Sequence, residues 1–440
     1  MGVLARLGPH LEAALASFVH ERGVASVASA VVVRGEPTWT FGYGSADVAG
    51  DGSVDAGTAY RIGSLTKPFT AAAVFRLRDR GALRLEDPVA RWIPSFAGVR
   101  PASGATSEEV TVAHLVSHRA GLPGEVPALD EAADVYPSSQ EVLDGLDGVT
   151  LMQPPGVAMR YSNLGYQLLG AIVAVASGST FEAACARELL EPLGLRATGF
   201  DAPAGAALGH RARAFTDRLR HAADRRKRTN ADGGLWSTAD DLATWIRAQL
   251  GEADVAWTPT LAEMHVPGRG WFRERVGART LLYHQGSTPG FAARLAFAPA
   301  LGAGLVVLVN GEVATADLTH ALADLVLDGV EGALPEGSPP AVPPPPSPVG
   351  YPAAWDDLVG FYVWPGSAML FRLEERRGRL RLVDLERGAG SVVLEPRGDD
   401  AFVALDGGWA GEPVIVLRGG DGAVRALRLG SWTVARLVEA

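Results

Sequence analysis

Apolar positions recur at helical spacing over residues 2–22, then collapse into the short dense runs of strands. Val27 to Val33 and Pro37 to Tyr43 form two such runs around the Arg34-Gly35 turn. Helical patterning dominates the middle of the chain. One helix is expected from Ser64 to near Gly81, with Pro68 in the first turn, where proline is tolerated. Thr111 caps a helix running to His118, Ser162 to Ala176 forms another stopped near Gly178, and Ser237-Thr-Ala-Asp240 reads as a capping box. Strand patterns return at Leu281 to His284, Phe291 to Ala298 and Gly304 to Asn310, and a helix from Ala314 to about Val330 closes the region. Strands at both ends of a helical middle imply one sheet assembled from both chain ends, with a helical insertion between them. There is no internal repeat.

Residues 335–350 contain Pro339-Pro340-Ala-Val-Pro343-Pro-Pro-Pro346-Ser-Pro348, a composition that favours extended polyproline geometry and a semi-rigid spacer. Beyond it, residues 351–440 change character. Short runs at Met369–Leu373, Leu380–Val383, Val392–Leu394, Ala401–Leu405, Val414–Leu417, Val424–Leu429 and Trp432–Leu437 alternate with turn signals such as Asp406-Gly407-Gly408. Many short strands at this spacing indicate a small antiparallel sandwich or barrel. The expected domains are therefore residues 1–334, a linker at 335–350, and a β accessory domain at 351–440.

Composition narrows the functional classes. At 440 residues, two or three domains are expected. A hydrophobic share of 47% with 20% charged residues is ordinary for a soluble globular protein, and a net charge of −10 argues against general nucleic-acid binding. No run of about eighteen apolar residues marks a membrane span. Pro9, His10 and Glu12 interrupt any secretion-signal pattern at the N-terminus, so the chain reads as cytoplasmic. The single cysteine, Cys185, sits on the apolar side of a helical pattern and reads as a buried hydrophobe. Arg211 to Arg228 gathers eight cations, read as a solvated loop or as a positive rim that steers anionic substrates.

Candidate chemistry begins with the cations. Of 40 Lys and Arg residues only Lys67 and Lys227 are lysines, and Lys67 closes Ser64-Leu65-Thr66-Lys67. Arginine stays protonated at any working pH, whereas a desolvated lysine can lose its proton and act as a base. Ser64 stands at a helix N-terminus, where developing negative charge is favoured, and Lys67, three residues on, shares its face. A second piece is Tyr161-Ser162-Asn163 at the start of the next long helix: Tyr161 is able to relay a proton and Asn163 to hold a substrate carbonyl. The third is His284-Gln285-Gly286-Ser287 at a strand end. Gly286 permits close backbone approach to a ligand, the Ser287 N–H pairs with that of Ser64 as an oxyanion hole, and His284 acts electrostatically or hydrogen-bonds the substrate. His114 and His118, spaced i, i+4 like a metal pair, lack a third ligand and read as structural.

In this order the three pieces resemble the class C β-lactamase group, with its serine DD-carboxypeptidases, D-aminopeptidases and family VIII-type esterases. The further stretches Ala113-His-Leu-Val-Ser-His118 with Gly121-Leu-Pro123, Gly233-Gly-Leu-Trp-Ser237-Thr, and Gly290-Phe-Ala-Ala-Arg294 through Val307-Leu-Val-Asn310 extend the resemblance over roughly residues 15–330. It implies an α+β fold: a β-lactamase/transpeptidase-like antiparallel sheet with flanking helices and a helical subdomain, plus a small C-terminal antiparallel β-barrel, lipocalin-like. It also implies catalytic Ser64, Lys67 and Tyr161, substrate-binding Asn163, His284, Gly286 and Ser287, no metal or cofactor, and an ester or amide of a small molecule as substrate. Histidine stands at position 284, where efficient β-lactamases of the group carry lysine, so an esterase is expected ahead of a D-amino-acid peptidase or weak β-lactamase. A catalytically idle member that binds a ligand or partner is the reading from another class.

Overall fold

The computed structural model describes residues 2–48, 52–102, 106–126, 138–212, 219–222, 230–335, 337–344, 355–364, 369–376, 378–385, 391–406 and 409–437. Most of the basic stretch Arg211–Arg228 lies outside these residues. The chain divides into two units: Met1–Arg211 with His221–Pro345, and Ala212–Arg220 with Pro346–Ala440.

The strands of the first part of the chain are β1 (Ser26–Val33), β2 (Trp39–Gly44), β3 (Tyr60–Arg61), β4 (His210–Ala212), β5 (Leu219–His221), β6 (Trp236–Ser237), β7 (Phe272–Val276), β8 (Arg279–Thr288), β9 (Phe291–Ala298) and β10 (Ala303–Val309). Six of them form one sheet in the order β2-β1-β10-β9-β8-β7, antiparallel throughout. The β1–β10 pairing, with Ala30 opposite Val306, joins the two chain ends as the apolar runs imply. β1, β9 and β10 are buried at every position, because helices cover both faces of the sheet centre. The sequence pattern did not mark β7. It reads Phe-Arg-Glu-Arg-Val, pairs only with β8, and carries the charges that blunt a sheet edge.

The helices are α1 (Val3–Arg22), α2 (Lys67–Asp79), α3 (Val89–Trp92), α4 (Val112–Val116), α5 (Ser139–Asp144), α6 (Asn163–Ser177), α7 (Phe181–Cys185), α8 (Glu191–Leu193), α9 (Ala239–Gln249), α10 (Thr258–Glu263) and α11 (Ala316–Val330). α1 presents Leu4, Leu7, Leu11 and Leu15 to Leu322 and Val326 of α11, and both helices pack on one face of the sheet in a single core. A second core on the other face takes in α2, α6 and α9, with Phe69 stacked on Trp245 at 4.4 Å. α2 is buried from Lys67 to Phe75, as expected of a helix apolar all round. No single helix among the described residues is long and apolar enough to cross a membrane.

The expected capping box at Ser237 lies one residue too early. Thr238 is the cap and accepts from the Asp241 N–H, while Ser237 belongs to β6 and bonds Thr198 through its hydroxyl. The helix at Thr111 is shorter than its pattern: α4 stops at Val116, because His118 adopts the left-handed conformation.

The second unit is a closed antiparallel barrel of β11 (Gly360–Trp364), β12 (Met369–Arg376), β13 (Arg379–Asp384), β14 (Ser391–Gly398), β15 (Ala401–Ala404), β16 (Pro413–Arg418), β17 (Val424–Leu429) and β18 (Trp432–Arg436) in chain order. Closure is made by Tyr362 and Val363 opposite Arg436 and Ala435. Seven of these strands follow the sequence pattern; β11, pressed between the proline run and Pro365, does not stand out in it. The interior is filled by Leu358, Tyr362, Phe371, Leu380, Leu427 and Val434 among others, a core separate from the other two.

Candidate active site

Ser64 lies in a 3-10 turn, Gly63–Thr66, that feeds directly into α2. The segment after residue 230 straps this turn. β3 pairs with β6, Ile62 N–H donates to Leu235 O at 3.0 Å, and Leu235 N–H donates to Thr66 Oγ1 at 3.2 Å. Thr66 in turn donates to Gly63 O at 2.7 Å, and Thr70 to Ala231 O at 2.6 Å.

Lys67 is completely buried. Its ammonium nitrogen lies 3.0 Å from Ser64 Oγ, 2.7 Å from Asn163 Oδ1 and 2.6 Å from the Asp232 carbonyl. Two of these partners are pure acceptors and consume two N–H bonds. The third position faces a hydroxyl, which both donates and accepts. The geometry thus leaves one 3.0 Å contact, to Ser64 Oγ, across which donor and acceptor roles can be exchanged.

Tyr161 and Asn163 arrive from the start of α6. Ser162 caps that helix through the Gly165 N–H and is tied to Pro123 O at 2.6 Å. The Tyr161 ring lies 4.9 Å from Lys67 Nζ, with Ser64 close enough to act on its hydroxyl. Desolvation raises the phenol's pKa, outweighing the opposing influence of Ser64. Tyr161 is thus held protonated, fit to give and regain a proton rather than to rest as phenolate. Asn163 uses Oδ1 for Lys67 and donates from Nδ2 to Glu125 Oε1 at 2.7 Å; Gln167 binds the other Glu125 oxygen at 3.2 Å.

His284 is buried in β8, with Nδ1 2.7 Å from Gln285 O. That carbonyl can only accept, so the proton sits on Nδ1 and Nε2 keeps its lone pair. Burial first, and Lys67 second, push the pKa down to about 3. The neutral ring offers Nε2 as a hydrogen-bond acceptor, which favours the hydrogen-bonding alternative considered from sequence.

Gly286 also has a close backbone neighbour within the protein itself. A Cβ there would lie 1.8 Å from Ile62 O and 2.9 Å from Leu65 N. Reciprocally, a Cβ on Gly63, at φ +50°, would lie 2.8 Å from Ser287 N. Two glycines let strand β8 press against the Ser64 turn, which sets the Ser287 amide beside residue 63. The close approach is backbone to backbone.

The structure thus gathers Ser64, Lys67, Tyr161 and Asn163 directly, and packs Gly286 and Ser287 against their turn. The pattern reading missed Asp232, Glu125 and His118. Asp232 contributes a backbone carbonyl, which no side-chain motif signals; Glu125 lies just beyond a quoted stretch, and His118, read from sequence as structural, is connected to the Lys67 cluster only by the fold. Cys185 is a core residue, its thiol pushed up to about 12 by burial. Away from this centre, Asp47, His210 and His221 bring three ligand atoms within 4.8 Å of one another. The Asn310 amide, held by the Ser45 and Ala46 carbonyls, points Nδ2 at His210 Nδ1. His210 Nε2 accepts from the Val48 N–H at 3.3 Å and lies 3.5 Å from Asp47 Oδ1, and His221 Nε2 lies 2.7 Å from the same carboxylate oxygen, so the trio reads as a hydrogen-bonded cluster.

An antiparallel sheet closed by both chain ends, carrying a Ser-x-x-Lys turn at the head of a buried helix, is the β-lactamase/transpeptidase-like fold. The chain belongs to the Beta-lactamase family, whose model matches residues 11–328. A separate model, a domain of unknown function (DUF7586), matches residues 351–436. Beta-lactamase-like protein 2 of Dictyostelium discoideum is 34% identical over 185 residues, which are 41% of this chain and 33% of that protein's length. The octameric penicillin-binding protein homologue from Pyrococcus abyssi superposes with a TM-score of 0.65 at 22% identity, covering 97% of this chain and 99% of that one. The D-amino acid amidase from Ochrobactrum anthropi SV3 gives a TM-score of 0.63 at 24% identity over 74% and 98%. This family is one of hydrolases.

Proposed function

We propose that the protein is a serine hydrolase that cleaves esters or amides of small molecules through an acyl-enzyme, with esters of neutral acids its preferred class. In this reading Ser64 Oγ attacks the carbonyl carbon and its proton passes to Lys67. The Ser64 and Ser287 amides hold the oxyanion. Tyr161 protonates the leaving group and recovers its proton from Lys67, and water then releases the acid by the reverse relay. The observation that carries the reading is the Lys67 contact set, two fixed acceptors and one exchangeable hydroxyl. The ester preference rests on His284, whose neutral ring lacks the charge to meet a substrate carboxylate.

One observation favours a second substrate class. The Glu125 carboxylate abuts Asn163, beside the expected position of the acyl group, where it suits an α-ammonium group. An amidase or aminopeptidase of D-amino-acid derivatives is the corresponding activity.

A panel of nitrophenyl esters, D-amino-acid nitroanilides and a chromogenic cephalosporin separates these readings. Esters are expected to turn over fastest and the cephalosporin slowest. Ser64→Ala should abolish turnover, and intact-mass analysis should place a fluorophosphonate adduct on Ser64. An adduct on another serine, or a cephalosporin rate above the ester rates, defeats the proposal.

A further inference from the structure

His118 is the one non-glycine residue with positive φ among those described, at +55°. It follows α4 at the position where a helix most often ends in glycine. A β-carbon in this conformation crowds the following carbonyl, and such strain persists only where the surroundings enforce it. Here the surroundings are the three residues centred on Tyr161. The His118 carbonyl accepts from the Arg160 N–H at 2.7 Å. Its Nδ1 accepts from the Ser162 N–H at 3.1 Å. Its ring stacks on that of Tyr161, with centroids 4.5 Å apart and planes at 28°. Tyr166 and Phe272 close the ring's surroundings at 4.8 and 6.2 Å.

We infer that His118 is the positioning residue for Tyr161, a three-point clamp that fixes the backbone on either side of the tyrosine and the face of its ring. The inference rests on the catalytic reading of Tyr161 given above. The left-handed backbone is what makes the three contacts simultaneous: carbonyl and side chain reach adjacent residues of one extended segment. The acceptor role of Nδ1 requires the neutral ring, and burial, reinforced by Lys67, keeps it so. The i, i+4 relation to His114 is incidental, since His114 spends its Nδ1 on the Thr111 N–H in a capping box.

Three variants test the clamp: His118→Ala, which removes ring and acceptor; His118→Asn, which tolerates positive φ and keeps an oxygen near the Nδ1 position but no ring; and Tyr161→Phe. Rates are measured on a nitrophenyl ester and divided by the Ser64 sites titrated with a fluorophosphonate. His118→Ala is expected to lower kcat per titrated site at least thirtyfold with KM within threefold. It should also shift the acidic limb of the kcat/KM profile, which reports the Lys67–Tyr161 pair, by half a pH unit or more. His118→Asn is expected to recover part of kcat yet stay at least fivefold below the parent, and this variant decides the matter if His118→Ala does not fold. A merely structural residue lowers the number of titratable sites and leaves kcat per site and the limb in place; that result overturns the clamp alone. If Tyr161→Phe keeps kcat within threefold, the catalytic reading of Tyr161 fails and the clamp fails with it.

Discussion

At the scale of single residues, Lys67 and Gly286 set the tightest limits. Lys67 is completely buried against three oxygen partners, one of which is a hydroxyl that in the proposed mechanism both gives and takes a proton. Arginine keeps the positive charge but not the chemistry: it stays protonated, and its planar fork does not match three acceptors arranged around one nitrogen. Lys67→Arg should lose at least tenfold in kcat/KM, about 1.4 kcal/mol of transition-state stabilisation, and nearly as much as Lys67→Ala. Retention of most of the activity would falsify the base role. Gly286→Ala tests the other constraint. Its methyl would meet backbone on the nucleophile turn rather than a side chain able to swing away. A loss of about 3 kcal/mol, the upper range for overpacking, is expected in urea unfolding, together with slow labelling of Ser64. Lys67 was legible in the sequence because the chain writes almost every other cation as arginine. The need for Gly286 was legible, but not the surface it approaches, because the partner is backbone more than two hundred residues away in sequence.

At the scale of elements, legibility followed local signals. β1, β9 and β10 announce themselves as dense apolar runs, since both their faces are covered. β7 hides its strand character behind the charges of an edge. The ends of the expected helices were readable to within about three residues; at α4 the pattern runs past the true end because a histidine takes the conformation usually left to glycine and the deciding contacts lie on another segment. That end of α4 and the middle of β8 each hold a neutral histidine, His118 and His284, with pKa values pushed down to about 3. Unfolded, both rings take protons near pH 6.5. Between that value and about 3 the unfolded chain therefore binds more protons than the folded one, and stability falls as the solution is acidified. From pH 7 to 5.5 the loss should be about 1.3 kcal/mol for each histidine that remains neutral in the fold. Urea unfolding at the two pH values reads it directly. His284→Gln should remove one share of the slope, and an unchanged slope in that variant would assign the acid sensitivity elsewhere.

At the scale of the molecule, the chain carries two fold-forming units with separate cores. The sheet unit has an apolar cluster on each face, and the barrel has its own, closed on itself with no free strand edge. Each is therefore expected to fold alone. The proline run between them is less of a free spacer than its composition suggests. Pro343 O accepts from the Tyr43 hydroxyl at 2.8 Å, and Pro344 O lies 3.0 Å from His20 Nε2. These carbonyls tie the run to β2 and α1, at the outer edge of the sheet, before the barrel begins. Where the chain is cut should then matter. A fragment ending at residue 345 keeps both contacts; one ending at 336 loses them. Both fragments are expected to label at Ser64 and to unfold cooperatively, because neither cut enters a core. The shorter should be less stable by about 1–3 kcal/mol, the net worth of two hydrogen bonds, one of them to a histidine. Equal urea midpoints for the two fragments would mean that the proline run contributes nothing to the sheet unit. Loss of cooperative unfolding in the longer fragment would mean that the sheet unit depends on the barrel for its fold.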